Sequence, residues 1–211
     1  FGSRLFVGTD KRRIDMLKIG ITGGIGCGKS FVCRKLQELG MVIFDCDREA
    51  KRIMETLPDV VEGLKSVVGE QVYTSEGRID KRVMSDFLFA NAANAAAVSA
   101  IVHPAVGREF LKFASEHTDA LACVMESAIL IESGLAPLVD KVICVQAPLQ
   151  VRLERVQLRD GLDEASIRRR IDRQMAEEER RKYPFDCIIV NDGQEDLAKQ
   201  LSEMLRDFKL F

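Results

Sequence analysis

Gly23-Gly24-Ile25-Gly26-Cys27-Gly28-Lys29-Ser30 fits the pattern G-x-x-x-x-G-K-[ST] without a gap. Its four glycines let the backbone curl until successive N–H groups point at one anion. The flanks supply the context that this pattern needs. Residues 16–22 form a short apolar run that predicts a buried strand leading into the glycines. Residues 30–39 predict a helix, with Val32, Leu36 and Leu39 on one side and Gly40 as its stop. Residues 41–44 are the next apolar run, ending in Asp45-Cys46-Asp47. Strand, glycine loop, helix and strand at this spacing predict a parallel pair joined by a crossover, with a phosphate held at the helix N-terminus.

Beyond Asp47 the character changes. Helices are predicted near 48–56, 59–68, 80–90, 92–102 and 105–117, with breaks at Gly69 and Glu76-Gly77. Strands return at 121–125 and 142–145, then helices at 149–159 and 164–182, a strand at 187–190 and a helix at 194–208. The sum is an α/β fold: a parallel sheet wrapped by helices, with a helical insertion after the second strand and a charged helical pair after the fourth. Residues 1–15 are expected to be an N-terminal extension outside this fold, Met16 reading as the natural start.

Composition narrows the function. The 31 basic and 33 acidic residues give a net charge of -2, which argues against a general binder of nucleic acid or membrane surfaces. The six cysteines form no C-x-x-C pair and only two histidines accompany them, so reduced thiols in a cytoplasmic protein are expected. No apolar run reaches membrane-spanning length.

Within the loop, Lys29 is a mobile charge for the β- and γ-phosphates and Ser30 a hydroxyl for Mg²⁺. The loop itself does not separate ATP from GTP, although no N/T-K-x-D guanine-reading segment is present. Asp45 and Asp47 end the second strand, the edge where open α/β sheets bind ligands. In an extended segment the two would share a side, one orienting an acceptor hydroxyl and taking its proton, the other capping the next helix. Glu126 follows the third strand and either holds the metal through water or is a plain strand-end carboxylate. Arg152, Arg155 and Arg159 share a helix face, where Arg155 and Arg159 are the candidates for neutralising a triphosphate. Lys81, Arg82 and Arg108, with His103 opening a helix, give the inserted region charge for a phosphate-bearing acceptor. Cys27, near a helix N-terminus, is expected to have an acidified, oxidation-prone thiol.

From Met16 onward these motifs, in order, resemble the dephospho-coenzyme A kinase family. Gly20–Gly26 with Gly28-Lys29-Ser30 is similar to that family's version of the loop, and Asp45-Cys46-Asp47 with Ala50 to its D-x-D-x-x-A signature. Val102-His103-Pro104, Leu130-Ile131-Glu132, Arg155 with Arg159-Asp160, Gln174, and Asp186 to Gly193 resemble its later elements. The resemblance implies a P-loop NTPase core at 16–47 and 118–211, a lid at about 150–182 and a helical coenzyme A-binding subdomain at 48–117. It also implies ATP with Mg²⁺, dephospho-coenzyme A as acceptor and Asp47 as base, with Lys29 and Arg155 beside it in catalysis. Nucleotide binding would fall to Gly24, Gly26, Cys27, Gly28, Lys29, Ser30, Phe31, Arg159 and Asn191, and acceptor binding to Asp45, Lys81, Arg82, His103 and Arg108. Ser30 and Glu126 would face the metal. Cys27, Phe31 and Asp192 depart from the family's usual serine, threonine and asparagine. The competing readings are another P-loop kinase, acting on a nucleotide or on shikimate, and an ATP-binding switch. Asp47 and the lid arginines favour an enzyme. A monomer or weak homo-oligomer is expected, with no nucleic acid or membrane partner.

Overall fold

Strand β1 (Lys18–Thr22) is buried along four of its five residues, as a central parallel strand covered on both faces must be. The structure, a computed structural model, describes residues 16–211. The stretch 1–15, and the expectation that it is an extension, lie outside the described residues. Five strands pair in the order β2-β3-β1-β4-β5, all parallel, with β2 at Val42–Asp45, β3 at Cys123–Glu126, β4 at Lys141–Gln146 and β5 at Cys187–Val190. From β1 the chain crosses to the edge strand β2, returns to β3 between them, and then crosses to β4 and β5 on the other side. The C-terminal end of β1 is therefore the switch point, where the crossovers part and a ligand can reach backbone.

Strand alternation sorts the core into two layers. Cys123 and Met125 of β3 face one cluster and Val124 the other, because successive side chains point to opposite faces. On one side Ile19, Ile21, Ile143, Val145 and Ile189 pack against α1 (Lys29–Glu38) and α9 (Leu197–Asp207). On the other lie α2 (Cys46–Thr56), α3 (Pro58–Val68), α4 (Lys81–Ala90) and α5 (Ala92–Glu116), all inserted between β2 and β3. Phe44 of β2 binds this layer down, its ring edge-on to Phe110 at 5.6 Å. Between β4 and β5 stand α6 (Leu149–Asp160), α7 (Glu164–Ile171) and α8 (Glu177–Arg181). They carry a small core of their own, Leu153, Val156 and Ile167. Among the described residues no helix is long and apolar enough to cross a membrane.

Three boundaries differ from the sequence expectation. Residues 92–102 and 105–117 run as one helix, α5, straight through Pro104. Proline there removes a donor at a cost of about 3 kcal/mol. Burial of Val98, Val102, Ala105, Val106 and Phe110 along one face offsets it. Residues 164–182 do the reverse and break into α7 and α8, although no proline or glycine lies between them. Residues 172–176 are drawn out of the helix by bonds to other parts of the molecule. Third, α2 begins at Cys46, so Asp47 is helical and the extended arrangement expected for Asp45 and Asp47 is corrected.

Candidate active site

The glycine loop runs from the end of β1 into α1, and positive φ makes glycine obligatory at three of its positions, Gly23 among them. Gly26 has φ 81° and Gly28, the N-cap of α1, φ 89°, a left-handed region that costs other residues. A Cβ on Gly28 would also collide with the amide of Asn191. Among the described residues no side chain caps α1 and its first turn holds no acid, so the N–H groups of Lys29 and Ser30 that open it are available to an anion. Lys29 Nζ folds back to donate to Gly23 O at 3.0 Å.

Asn191, buried at the end of β5, donates from Nδ2 to Cys27 O at 2.9 Å and so braces the loop from behind. Arg155 of α6 in turn donates to Asn191 O at 2.7 Å. Asp192 accepts from the N–H groups of Gln194 and Glu195 at 2.9 and 3.0 Å, bonds that hold its carboxyl below the usual carboxylate range and shape the turn after β5. Ser30 Oγ donates to Glu126 Oε1 at 2.8 Å, and Glu126 is in register with Asp45 across β2 and β3. Burial pushes the thiol of Cys33 up and Glu126 raises it further, while Lys29 pulls it down.

The two aspartates have separate surroundings. Asp45 Oδ1 accepts from Arg48 N at 3.0 Å, so this residue is the cap of α2. Asp47, the second residue of the helix, is exposed and has no hydrogen-bond or ion-pair partner among the described residues. Loop, Ser30, Glu126 and the pair of aspartates thus gather at one sheet edge.

Other expected residues stand apart from that group. Arg159 is exposed and donates to Asp160 at 2.7 and 3.1 Å, a carboxylate shared with Arg170. Phe31 keeps its backbone N–H on Gly28 O, but its ring faces an apolar groove between α1 and α9 and lies 5.7 Å from Arg34. Lys81 and Arg82 are exposed at the start of α4, Arg108 pairs with Asp59 at 2.6 Å, and His103 is half-buried on α5, where desolvation lowers its pKa. Cys27 is only 1 % exposed, so the expected oxidation-prone thiol is corrected. It lines a small gap with Cys144, whose thiol burial pushes up to about 11.

Arg152 is the functional-site residue that sequence reasoning set aside. It is buried, donates from Nε to Ile25 O at 2.9 Å and presses its guanidinium against Gly24. Its spacing from Arg155 was visible, but only the fold shows that it lies under the loop. Ser30 Oγ and the Glu126 carboxylate are hard oxygen donors of the kind Mg²⁺ takes. Among the described residues no group of three or more His, Cys, Asp or Glu side chains is placed to hold a metal. That is compatible with Mg²⁺, which keeps water and substrate phosphate oxygens as its other ligands.

A parallel sheet in this order, carrying a glycine-lysine-serine loop at its switch point, gives the molecule the fold of the P-loop nucleotide-binding class. A solved shikimate kinase from Bacteroides thetaiotaomicron shares the fold at TM-score 0.55, with 14% identity over 92% of this chain and 99% of that one. The sequence match is narrower: the dephospho-CoA kinase family profile matches residues 17–196. A curated dephospho-CoA kinase from Bacteroides fragilis is 40% identical over 190 residues, covering 90% of this chain and 91% of the relative. A crystal structure from Thermus thermophilus superposes at TM-score 0.77 with 34% identity, covering 91% of this chain and 97% of the other. The chain belongs to the dephospho-CoA kinase family.

Proposed function

We propose that this protein transfers the γ-phosphoryl group of ATP to the ribose 3′-hydroxyl of dephospho-coenzyme A, giving coenzyme A and ADP, the last step of coenzyme A synthesis. Membership of the family and an unpartnered aspartate two residues beyond the end of β2 support it. The observation that carries the chemistry is Asp47: exposed and unbonded among the described residues, at the sheet edge where Ser30 meets Glu126.

In this reading Gly24, Gly26, Cys27, Gly28, Lys29 and Ser30 of the loop and the N-terminus of α1 bind the triphosphate. Lys29 swings from Gly23 O to the β- and γ-phosphates. The acceptor oxygen attacks the γ-phosphorus, the bond to the β–γ bridging oxygen breaks, and ADP leaves. The hydroxyl proton passes to the Asp47 carboxylate. Arg155 neutralises charge on the phosphates, with Arg159 joining when the lid, about 150–182, closes. Asn191 and Phe31 border the nucleotide. Mg²⁺, held by Ser30 and Glu126, would supply charge neutralisation between phosphates. The inserted helices, 48–117, bind the acceptor through Lys81, Arg82, His103 and Arg108, with Asp45 at its edge. The enzyme acts in the cytoplasm as a monomer or weak homo-oligomer, with no nucleic acid or membrane partner.

The test is ADP release with Mg-ATP and a panel of hydroxyl acceptors. Release that depends on dephospho-coenzyme A is expected. Release driven by shikimate or a nucleotide instead would move the substrate, and no acceptor-dependent release would leave an ATP-binding switch.

A further inference from the structure

One residue of the phosphate loop is held on three sides by α6, α7 and the strap that follows α7. The side chain of Ile25 packs with Leu153, Val156 and Ile167. Its N–H donates to Gln174 Oε1 at 2.8 Å, and its carbonyl accepts from Arg152 Nε at 2.9 Å. Arg152 is 5% exposed and is fixed in turn by Glu177, 3.6 Å from it at the start of α8. The strap is tied down on both sides of Gln174. Arg173 lies over the Phe89 ring of α4 at 4.8 Å, and Met175 N donates to Glu132 Oε1 at 3.2 Å. Three consecutive residues thus reach the inserted helices, the phosphate loop and the turn after β3.

Ile25 stands between Gly24 and Gly26, the latter at φ 81°. Glycines have the widest backbone freedom, so this is the stretch of the loop that drifts most easily and costs most to order around an anion. Ile25 is also the residue in it with a side chain large enough to be gripped. We infer that Gln174 and Arg152 are positioning residues: they hold the Ile25 peptide so that the loop amides are aimed at the phosphates before nucleotide arrives, and the strap joins that loop to the inserted helices. The inference rests on Gly23 to Ser30 being the phosphate site. Preordering one such residue corresponds to roughly tenfold in affinity.

The experiment compares wild type with Gln174→Met, which keeps length and removes the acceptor. ADP affinity is read by calorimetry, amide exchange of Ile25 to Ser30 without nucleotide by mass spectrometry, and KM for ATP against kcat. In the variant ADP binding should weaken about five- to twentyfold and KM for ATP rise in parallel, with kcat within about threefold, as for one lost hydrogen bond and a looser loop. Loop amides should exchange faster while the unliganded melting temperature barely moves. Equal ADP affinity in the two proteins, with wild type binding normally, overturns the inference. Failure of wild type to bind ADP would strike the phosphate-site reading instead. Should the variant not fold, wild type alone decides: an Ile25 amide that exchanges as slowly as the α6 amides supports the clamp, and one that exchanges as freely as an open loop refutes it.

Discussion

Exchanging one carboxylate oxygen for an amide at position 47 separates activity from stability. Asp47 is exposed and makes no hydrogen bond or ion pair among the described residues, so Asp47→Asn removes no contact. Its unfolding free energy should stay within about 0.5 kcal/mol of wild type, as for surface changes away from special features. An amide cannot take the acceptor's proton, so turnover should fall roughly 10²–10⁴-fold, about 2.7–5.4 kcal/mol of transition-state stabilisation. The control is two residues away. Asp45 Oδ1 accepts from Arg48 N at 3.0 Å and caps α2. Asp45→Ala should therefore cost about 1 kcal/mol, a drop of roughly 2–4 °C in melting temperature for a chain of this size. Initial rates of ADP release, calorimetric ADP titration and urea unfolding on both variants give the three readouts. The reasoning is refuted if Asp47→Asn keeps most of its turnover, or loses activity only in proportion to lost folding or lost ADP affinity.

Gly28→Ala places a methyl against the Asn191 amide at a φ of 89° and should cost about 2 kcal/mol, from left-handed strain and a disturbed brace on the loop, with ADP affinity down at least about tenfold; unfolding and calorimetry check both. Phe44→Ala empties a position 3% exposed between the sheet and the inserted helices, and denaturant titration should show a loss of about 3–5 kcal/mol. Desolvation lowers the pKa of His103 below 6.5, so the unfolded chain takes up its proton more readily than the fold. The stability that neutral His103 contributes is complete above that value and is lost as pH falls through the window below it; urea midpoints at pH 5 to 8 should show this slope flattened in His103→Gln.

The loop was legible because its chemistry is local: glycines, Lys29 and Ser30 are adjacent in the chain, and strand and helix signals flank them. The five strands were legible for a similar reason, each being a short apolar run ended by polar or turn residues. What could not be read depends on distant partners. Pro104 inside α5 looked like a boundary, and only the buried face on both sides of it keeps the helix whole. Residues 172–176 looked helical, and bonds from Gln174 and Met175 to Ile25 and Glu132 fix them as a turn and bend instead. Asn191 carried a family expectation, yet its place against Cys27 O depends on a contact 164 residues apart in the chain. Arg152 has the same helical spacing as Arg155 and Arg159, and no local pattern says which of three arginines turns inward.

The most direct measurement follows the phosphorus itself. Wild-type protein incubated with Mg-ATP labelled at the γ-position and with dephospho-coenzyme A should yield coenzyme A carrying the label as a ribose 3′-phosphomonoester in the ³¹P spectrum, one for each ADP formed. Label appearing as free inorganic phosphate, or on any other position of the acceptor, would contradict transfer to that hydroxyl.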